Sequence, residues 1–202
     1  MKLACGPAHD QRILEISLPR GREVGVFISG GIDSALLYYL LLKENQNNSH
    51  SIQPLVISRK EGSRYFARPI IEKINQLLGI NVPAKRVGNT SLPETQQVTS
   101  AVEQAFRLLA LTEIFIGLIY NRPEHTVGFD PIPVPELAGL HTPFRHLEKS
   151  HIIDIYYQLG IQHLLEYTHS CDQSETTQCG TCNGCRERAW GFAELSQTDP
   201  RL

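Results

Sequence analysis

Ser29-Gly30-Gly31-Ile32-Asp33-Ser34 lies directly between an apolar run, Val24 to Ile28, and a second run of helical character, Ala35 to Leu42. A glycine-rich turn in that position predicts a strand, a tight turn and a helix that together form a cradle for an anion. Adjacent glycines let several backbone N–H groups point at one ligand, and the hydroxyls of Ser29 and Ser34 add donors. The helix contributes its unpaired first-turn amides and the positive end of its dipole. No Gly-Lys-Ser/Thr follows, so the loop is not of the Walker type. A plainer reading of the same residues is a Gly-Gly turn in which Asp33 or Ser34 caps a helix.

Strand and helix signals alternate around this loop. The helix Ser34–Glu44 is apolar nearly all round and is expected inside a core. Ile52–Ser58 reads as a second strand, and Ala67–Leu78 as a helix with Ile70, Ile71, Ile74, Leu77 and Leu78 on one face and Gly79 as its stop. A short third strand is expected near Lys85–Val87. Pro93-Glu94 opens a further helix with Val98, Ala101, Val102, Ala105, Leu108 and Leu109 at helical spacing. Glu113–Tyr120 is a continuous apolar strand interrupted at Gly117, of the kind that suits a parallel sheet covered on both faces. This order predicts a doubly wound parallel α/β sheet, in which ligands bind at the carboxyl ends of the strands. The first twenty or so residues are expected as an arm or an edge strand.

Residues 121–139 break the rhythm with Pro123, Pro131, Pro133, Pro135 and two glycines. A functional loop over the sheet and a plain surface excursion both fit. Beyond them, His141-Thr142-Pro143-Phe144 precedes a helix from Glu148 to Leu159, stopped by Gly160. A chain of 202 residues, 41% hydrophobic, can bury one sizeable core. With 19 basic and 21 acidic residues and no basic tract, there is no electrostatic case for a nucleic-acid partner. No apolar run reaches membrane-span length and no signal-peptide pattern opens the chain, so a cytoplasmic protein with no membrane contact is expected.

Four of the five cysteines crowd into fifteen residues as Cys171, Cys179, Cys182 and Cys185, a C-x7-C-x2-C-x2-C pattern. Close C-x2-C pairs let two thiolates reach one ion, and the upstream cysteine completes a tetrahedral shell, which describes a structural zinc site. An iron–sulfur cluster is the rival, because C-x2-C-x2-C also occurs in ferredoxin-type ligation. His169 is expected as a neighbour of this site, and Cys5 as a separate thiol.

Ser-Gly-Gly-x-Asp-Ser resembles the pyrophosphate loop of the ATP pyrophosphatases, which cleave ATP between the α and β phosphates and adenylate a substrate. With the cysteine segment, the resemblance narrows to the 7-cyano-7-deazaguanine synthase (QueC) family. It is carried by Thr168-His169-Ser170-Cys171, by Cys179-Gly180-Thr181-Cys182-Asn183-Gly184-Cys185-Arg186, by Gly191-Phe192, and by Thr142-Pro143-Phe144 followed by Leu147-Glu148-Lys149-Ser150-His151-Ile152-Ile153. The middle departs from the family: Ser58-Arg59-Lys60-Glu61-Gly62 stands where a Tyr-Gly-Gln stretch is usual.

The resemblance implies an adenine nucleotide α-hydrolase-like sheet over residues 1–165, with a zinc-binding segment, 166–202, packed on it. It implies ATP and magnesium at Ser29, Gly30, Gly31, Ile32, Asp33 and Ser34, with Arg59 and Lys60 as further phosphate or adenine contacts, and zinc on the four cysteines. Asp33 would orient the magnesium or only cap its helix, and Lys149 would be a point charge for phosphate or a solvated lysine. The implied reaction is an AMP-forming ligation of a deazapurine carboxylate with ammonia, ending in a nitrile. Other acceptors of a deazaguanine (a protein or a nucleic acid), a tRNA thiolase and a nucleotide-binding protein without catalysis are the alternatives. A homodimer is compatible with the sequence, though no pattern requires one.

Overall fold

The computed structural model describes residues 1–18, 23–47, 50–57, 67–89, 91–122, 136–174 and 176–201. Arg59, Lys60 and most of the Pro-rich stretch 121–139 fall outside them. Five parallel strands form one sheet: β3 (Glu23–Phe27), β4 (Ser51–Ile57), β5 (Lys85–Val87), β6 (Glu113–Ile116) and β7 (Leu140–His141), in the order β5-β4-β3-β6-β7. The order reverses between β3 and β6, so the segments leaving these two strands diverge and open a crevice at their carboxyl ends.

Alternating side chains send the two faces into different cores. Val24, Val26 and Phe115 join α1 (Ile32–Glu44), α2 (Ala67–Leu78) and α4 (Lys149–Gln158) in the larger one. Phe27, Leu55, Ile114 and Ile116 join Ala101, Val102 and Ala105 of α3 (Glu94–Leu108) in the smaller. Both faces are therefore covered, as continuous apolar strands require. In α1 every residue from Ser34 to Leu42 is buried, and Leu36, Leu37, Leu40 and Leu41 have no exposed surface. Each such leucine contributes about 1.5–3 kcal/mol of burial, which fixes the helix that the loop feeds.

Four sequence expectations need correction. The first residues are neither an arm nor an edge of the main sheet: β1 (Lys2–Cys5) and β2 (Arg12–Glu15) make their own antiparallel ribbon. Buried Cys5, Leu14 and Ile16 pin it to the larger core, and Gln158 of α4 donates to the Ala4 carbonyl at 2.9 Å. Helix α1 begins at Ile32, two residues before Ser34, because Gly31 takes the extended capping conformation at ψ 166°. Strand β6 stops at Ile116 rather than Tyr120: at Gly117 the chain runs against the backbone of α1, where a Cβ would lie 3.1 Å from the Asp33 carbonyl. Helix α4 is one residue shorter at each end than Glu148–Leu159, with Glu148 as its N-cap. No helix among the described residues is long and apolar enough to cross a membrane.

Candidate active site

The loop between β3 and α1 is braced by its own hydroxyls. Gly30 turns the chain at φ +93°. The Ser29 amide donates to Ser34 Oγ at 3.1 Å, the Ser34 hydroxyl donates back to the Gly31 carbonyl at 3.2 Å, and the Gly31 amide donates to Ser29 Oγ at 3.2 Å. Gly31 is the N-cap and no side chain caps the helix. Neither Asp33 nor Ser34 therefore serves as the cap, which frees the Asp33 carboxylate for another partner.

That partner is Lys149, at the first position of α4. Its ammonium donates to both Asp33 oxygens, at 2.8 and 2.7 Å, and lies 3.2 Å from Glu187 Oε2. Lys149 is 5% exposed, so it is not a solvated surface lysine. Burial works against its charge, but the Asp33 and Glu187 carboxylates outweigh that and hold its pKa above the ordinary lysine value. Tyr156, one face along α4, donates to the Ile32 carbonyl at 2.8 Å and locks the two helices at the loop.

The start of α4 is aimed by a second polar network. The Glu148 carboxylate accepts from the N3 amide while the Glu148 amide donates to His151 Nδ1, a capping-box arrangement. Its oxygens also take Arg12 at 2.9 Å and Arg122 at 2.8 Å. The Arg122 guanidinium stands 4.8 Å from the Trp190 ring centroid. Asp10, Glu148 and His151 bring ligand-type atoms within 4.8 Å of one another. They do not read as a metal site, since the arginines neutralise both carboxylates and both His151 nitrogens are engaged, Nε2 lying 2.9 Å from the Asp10 carbonyl.

The four cysteines come together as the spacing implied. One Sγ from each of Cys171, Cys179, Cys182 and Cys185 lies within 4.8 Å of all the others, and none is in a disulfide. Four thiolates at about 2.3 Å from a zinc ion would sit about 3.8 Å apart, and Cys179 and Cys185 are 4.0 Å apart. The donor set fits a tetrahedral metal ion. The Cys179 sulfur accepts from the Thr181 hydroxyl and from the Thr181 and Cys182 amides, which pull its pKa down to about 6. Burial pushes the Cys185 thiol up to about 12. His169 is a neighbour: its Nε2 lies 2.7 Å from the Ser174 carbonyl and 3.1 Å from that of Cys171.

This segment abuts the loop directly. The His169 amide donates to the Gly30 carbonyl at 2.9 Å. Cys182 caps α5 (Asn183–Glu194), which carries Cys185 in its first turn and Glu187 one turn on. Farther along, α5 meets α4 so closely that a Cβ on Gly191 would fall 2.7 Å from Lys149 Cγ. Arg188, 1% exposed, grips Asp199 with two bonds of 2.6 and 2.7 Å and donates to Thr168 Oγ1 at 2.8 Å, anchoring the segment. Sequence reading missed Glu187 and Arg188, because a charged residue within a polar helix carries no signal of what it faces, and Trp190, whose partner Arg122 lies 68 residues away.

The crevice, the glycine-rich loop at the sheet's reversal and the appended cysteine segment define a doubly wound parallel α/β protein with a C-terminal four-cysteine cluster. The fold is shared with NMN synthetase from Francisella tularensis, at a TM-score of 0.55 and 14% identity over 89% of this chain and 79% of that one. The family described as "Queuosine biosynthesis protein QueC" matches residues 135–196. A 7-cyano-7-deazaguanine synthase from Geobacter sp. (strain M21) is 44% identical over 226 aligned positions, covering 89% of this chain and 96% of the relative. Another, from Geotalea uraniireducens (strain Rf4), is 34% identical over 60% of this chain, and that match spans 63% of the relative's length. The chain belongs to the 7-cyano-7-deazaguanine synthase (QueC) family.

Proposed function

We propose that this protein is an ATP-dependent, AMP-forming C–N ligase that converts 7-carboxy-7-deazaguanine to 7-cyano-7-deazaguanine. The observation that carries the reading is the pairing of Asp33 and Lys149 at the mouth of the Ser29–Ser34 loop. A cation there offsets the charge that builds up on the departing pyrophosphate, and a carboxylate beside it can hold a divalent metal ion.

In this reading the substrate carboxylate oxygen attacks the α-phosphorus of ATP and pyrophosphate leaves. Ammonia then displaces AMP from the acyl adenylate to give the amide. The amide oxygen then attacks the α-phosphorus of a second ATP, a second pyrophosphate leaves, and loss of AMP and of both amide protons leaves the nitrile. The amides of Gly30, Gly31 and Ile32 and the hydroxyls of Ser29 and Ser34 bind the pyrophosphate oxygens at the N-terminus of α1. Lys149 neutralises charge on the phosphates, and Asp33 holds that lysine until the nucleotide arrives. Magnesium, when bound, spreads the charge of the leaving pyrophosphate, with Asp33 as its available carboxylate. Zinc on Cys171, Cys179, Cys182 and Cys185 is structural, because four thiolates leave no open position for chemistry. Arg59 stays a phosphate-contact candidate from the sequence resemblance.

The test is incubation of the pure protein with ATP, magnesium, ammonium and 7-carboxy-7-deazaguanine, following AMP by chromatography and the base by mass spectrometry. AMP together with the nitrile is the expected result. AMP with the amide alone would favour a relative that stops at amidation or uses another acceptor, a reading supported by the departures in residues 58–62. No AMP would reject the ligase on this substrate.

A further inference from the structure

Lys149 is held by two carboxylates, and only one of them belongs to the loop. Asp33 comes from α1 and its side chain is 20% exposed, whereas Glu187 comes from α5, is 13% exposed and approaches from the side of the cysteine segment. A buried ammonium with two anionic partners can release one without becoming an uncompensated buried charge, whereas an ammonium with a single partner cannot. An arriving phosphate must take Lys149 from Asp33, the more exposed of the two and the one at the loop. Glu187 then keeps the lysine charged and in register during the exchange.

We propose that Glu187 is a positioning residue for the phosphate site. It acts as the fixed second anchor that lets Lys149 move from Asp33 to the nucleotide, and it ties the catalytic lysine to the metal-bound segment. The proposal rests on the ligase reading for its chemistry and on the structure for its geometry. The position of α5 is specified independently of the ion pair. Gly191 lets α5 lie on the Lys149 stem, where a Cβ would also come within 2.9 Å of Ile153 Cδ1. Arg188, next to Glu187, is locked to Asp199 and Thr168. Glu187 thus projects from a helix that cannot follow the lysine, as an anchor must.

The roles predict a split that a merely structural residue would not give. In Glu187→Gln, one negative charge leaves the neighbourhood of a polyphosphate, so Mg·ATP binds at least as tightly as to the wild type. Lys149 is then left with Asp33 as its one anionic partner and is surrendered less readily, so the turnover rate for AMP formation falls about tenfold. Glu187→Asp restores part of the rate, while metal content stays at the wild-type value in both variants. Equilibrium binding of Mg·ATP, AMP release and metal content are measured on the same preparations. Unchanged turnover in Glu187→Gln overturns the proposal. So does a loss of turnover matched by loss of ATP affinity or of metal, which would make Glu187 a packing residue of α5. If the wild type releases no AMP, the ligase reading fails first. The Glu187 anchor is then judged on binding alone, where weaker Mg·ATP binding by Glu187→Gln than by wild type overturns it.

Discussion

The pyrophosphate-type loop and the four-cysteine segment meet where the His169 amide donates to the Gly30 carbonyl, but they are built by different means. Ile32 within the loop and Ala35 and Leu36 just after it have no exposed surface and are continuous with the largest core. Around the cysteines the corresponding cluster consists, among the described residues, of Cys171, Cys179, Cys182 and Cys185 alone. The loop is braced by its own hydrogen bonds and by the apolar burial of the helix it opens. The turns from Cys171 to Cys185 have four thiols where a core would be, an arrangement an ion would complete, whereas the far half of α5 packs through Phe192 on the larger core. That segment also supplies Glu187 and the contact at Gly191 to Lys149, so a structural ion on the four cysteines, as proposed, would reach the Lys149 pair through α5.

The sharpest way to break this contrast is to remove the metal. Chelation should abolish the amide protection of residues 176–186, around the cysteines, while the β3–β6 strands and the far half of α5, where Phe192 joins the larger core, stay protected, read by hydrogen exchange with mass spectrometry. Equal protection of residues 176–186 with and without metal would show that the cysteine turns are held by packing after all.

Next in size is Asp33→Asn, which changes the loop's chemistry and leaves its packing alone. AMP formation should fall by about a hundred- to a thousandfold. The thermal midpoint should shift by only a few degrees, because Lys149 keeps Glu187 as a partner and Asp33 caps no helix. Retained turnover would remove Asp33 from the reaction.

A steric probe of the other region comes third. A Cβ on Gly184 would lie 2.0 Å from the Ser170 carbonyl oxygen. Gly184→Ala should therefore cost about 3 kcal/mol of stability in the metal-loaded protein and lower its metal affinity, measured by competition with a chromogenic chelator. The matching control, Gly180→Ala, meets no atom within 4 Å but sits at φ +74°, so its smaller cost comes from the backbone alone.

The smallest effect is a titration within the packed half. Burial, aided by Arg12, holds the His151 pKa below the ordinary histidine value, against the pull of Asp10 and Glu148. Its folded pKa is lower than its unfolded one, so it contributes stability above about pH 6.5, lost as the pH falls through the folded pKa. NMR should find the His151 pKa below about 6.5. A value above it would mean that the carboxylates dominate the network at the start of α4.

Much of this architecture is legible in the residues themselves. The 3.6-residue patterns locate four of the helices, and for Ala67–Leu78 the bounds agree to the residue, although Leu77, read as part of its apolar face, is 44% exposed. The strand Glu113–Ile116 reads too long because residues 117–120 remain apolar after the sheet has lost its partner there. Strand β7 is two residues long, too short for any periodicity. At the site, the loop and the cysteines announce themselves by spacing, since their ligands are near in sequence. The Asp33–Lys149 pair is 116 residues apart and Lys149–Glu187 spans two helices. Charged residues of that kind look solvated until packing shows otherwise. The middle stretch is opaque for another reason: residues 58–66 and 123–135 lie outside the described residues, and with them Arg59.

The measurement that tests the central claim most directly is a single-turnover reaction with 7-carboxy-7-deazaguanine labelled with 18O in its carboxylate, followed by mass spectrometry of the nucleotide. Attack of the carboxylate on the α-phosphorus, with the loop holding the departing pyrophosphate, predicts one 18O in the AMP. Label in inorganic phosphate alongside ADP would mean attack at the γ-phosphorus and would contradict the account.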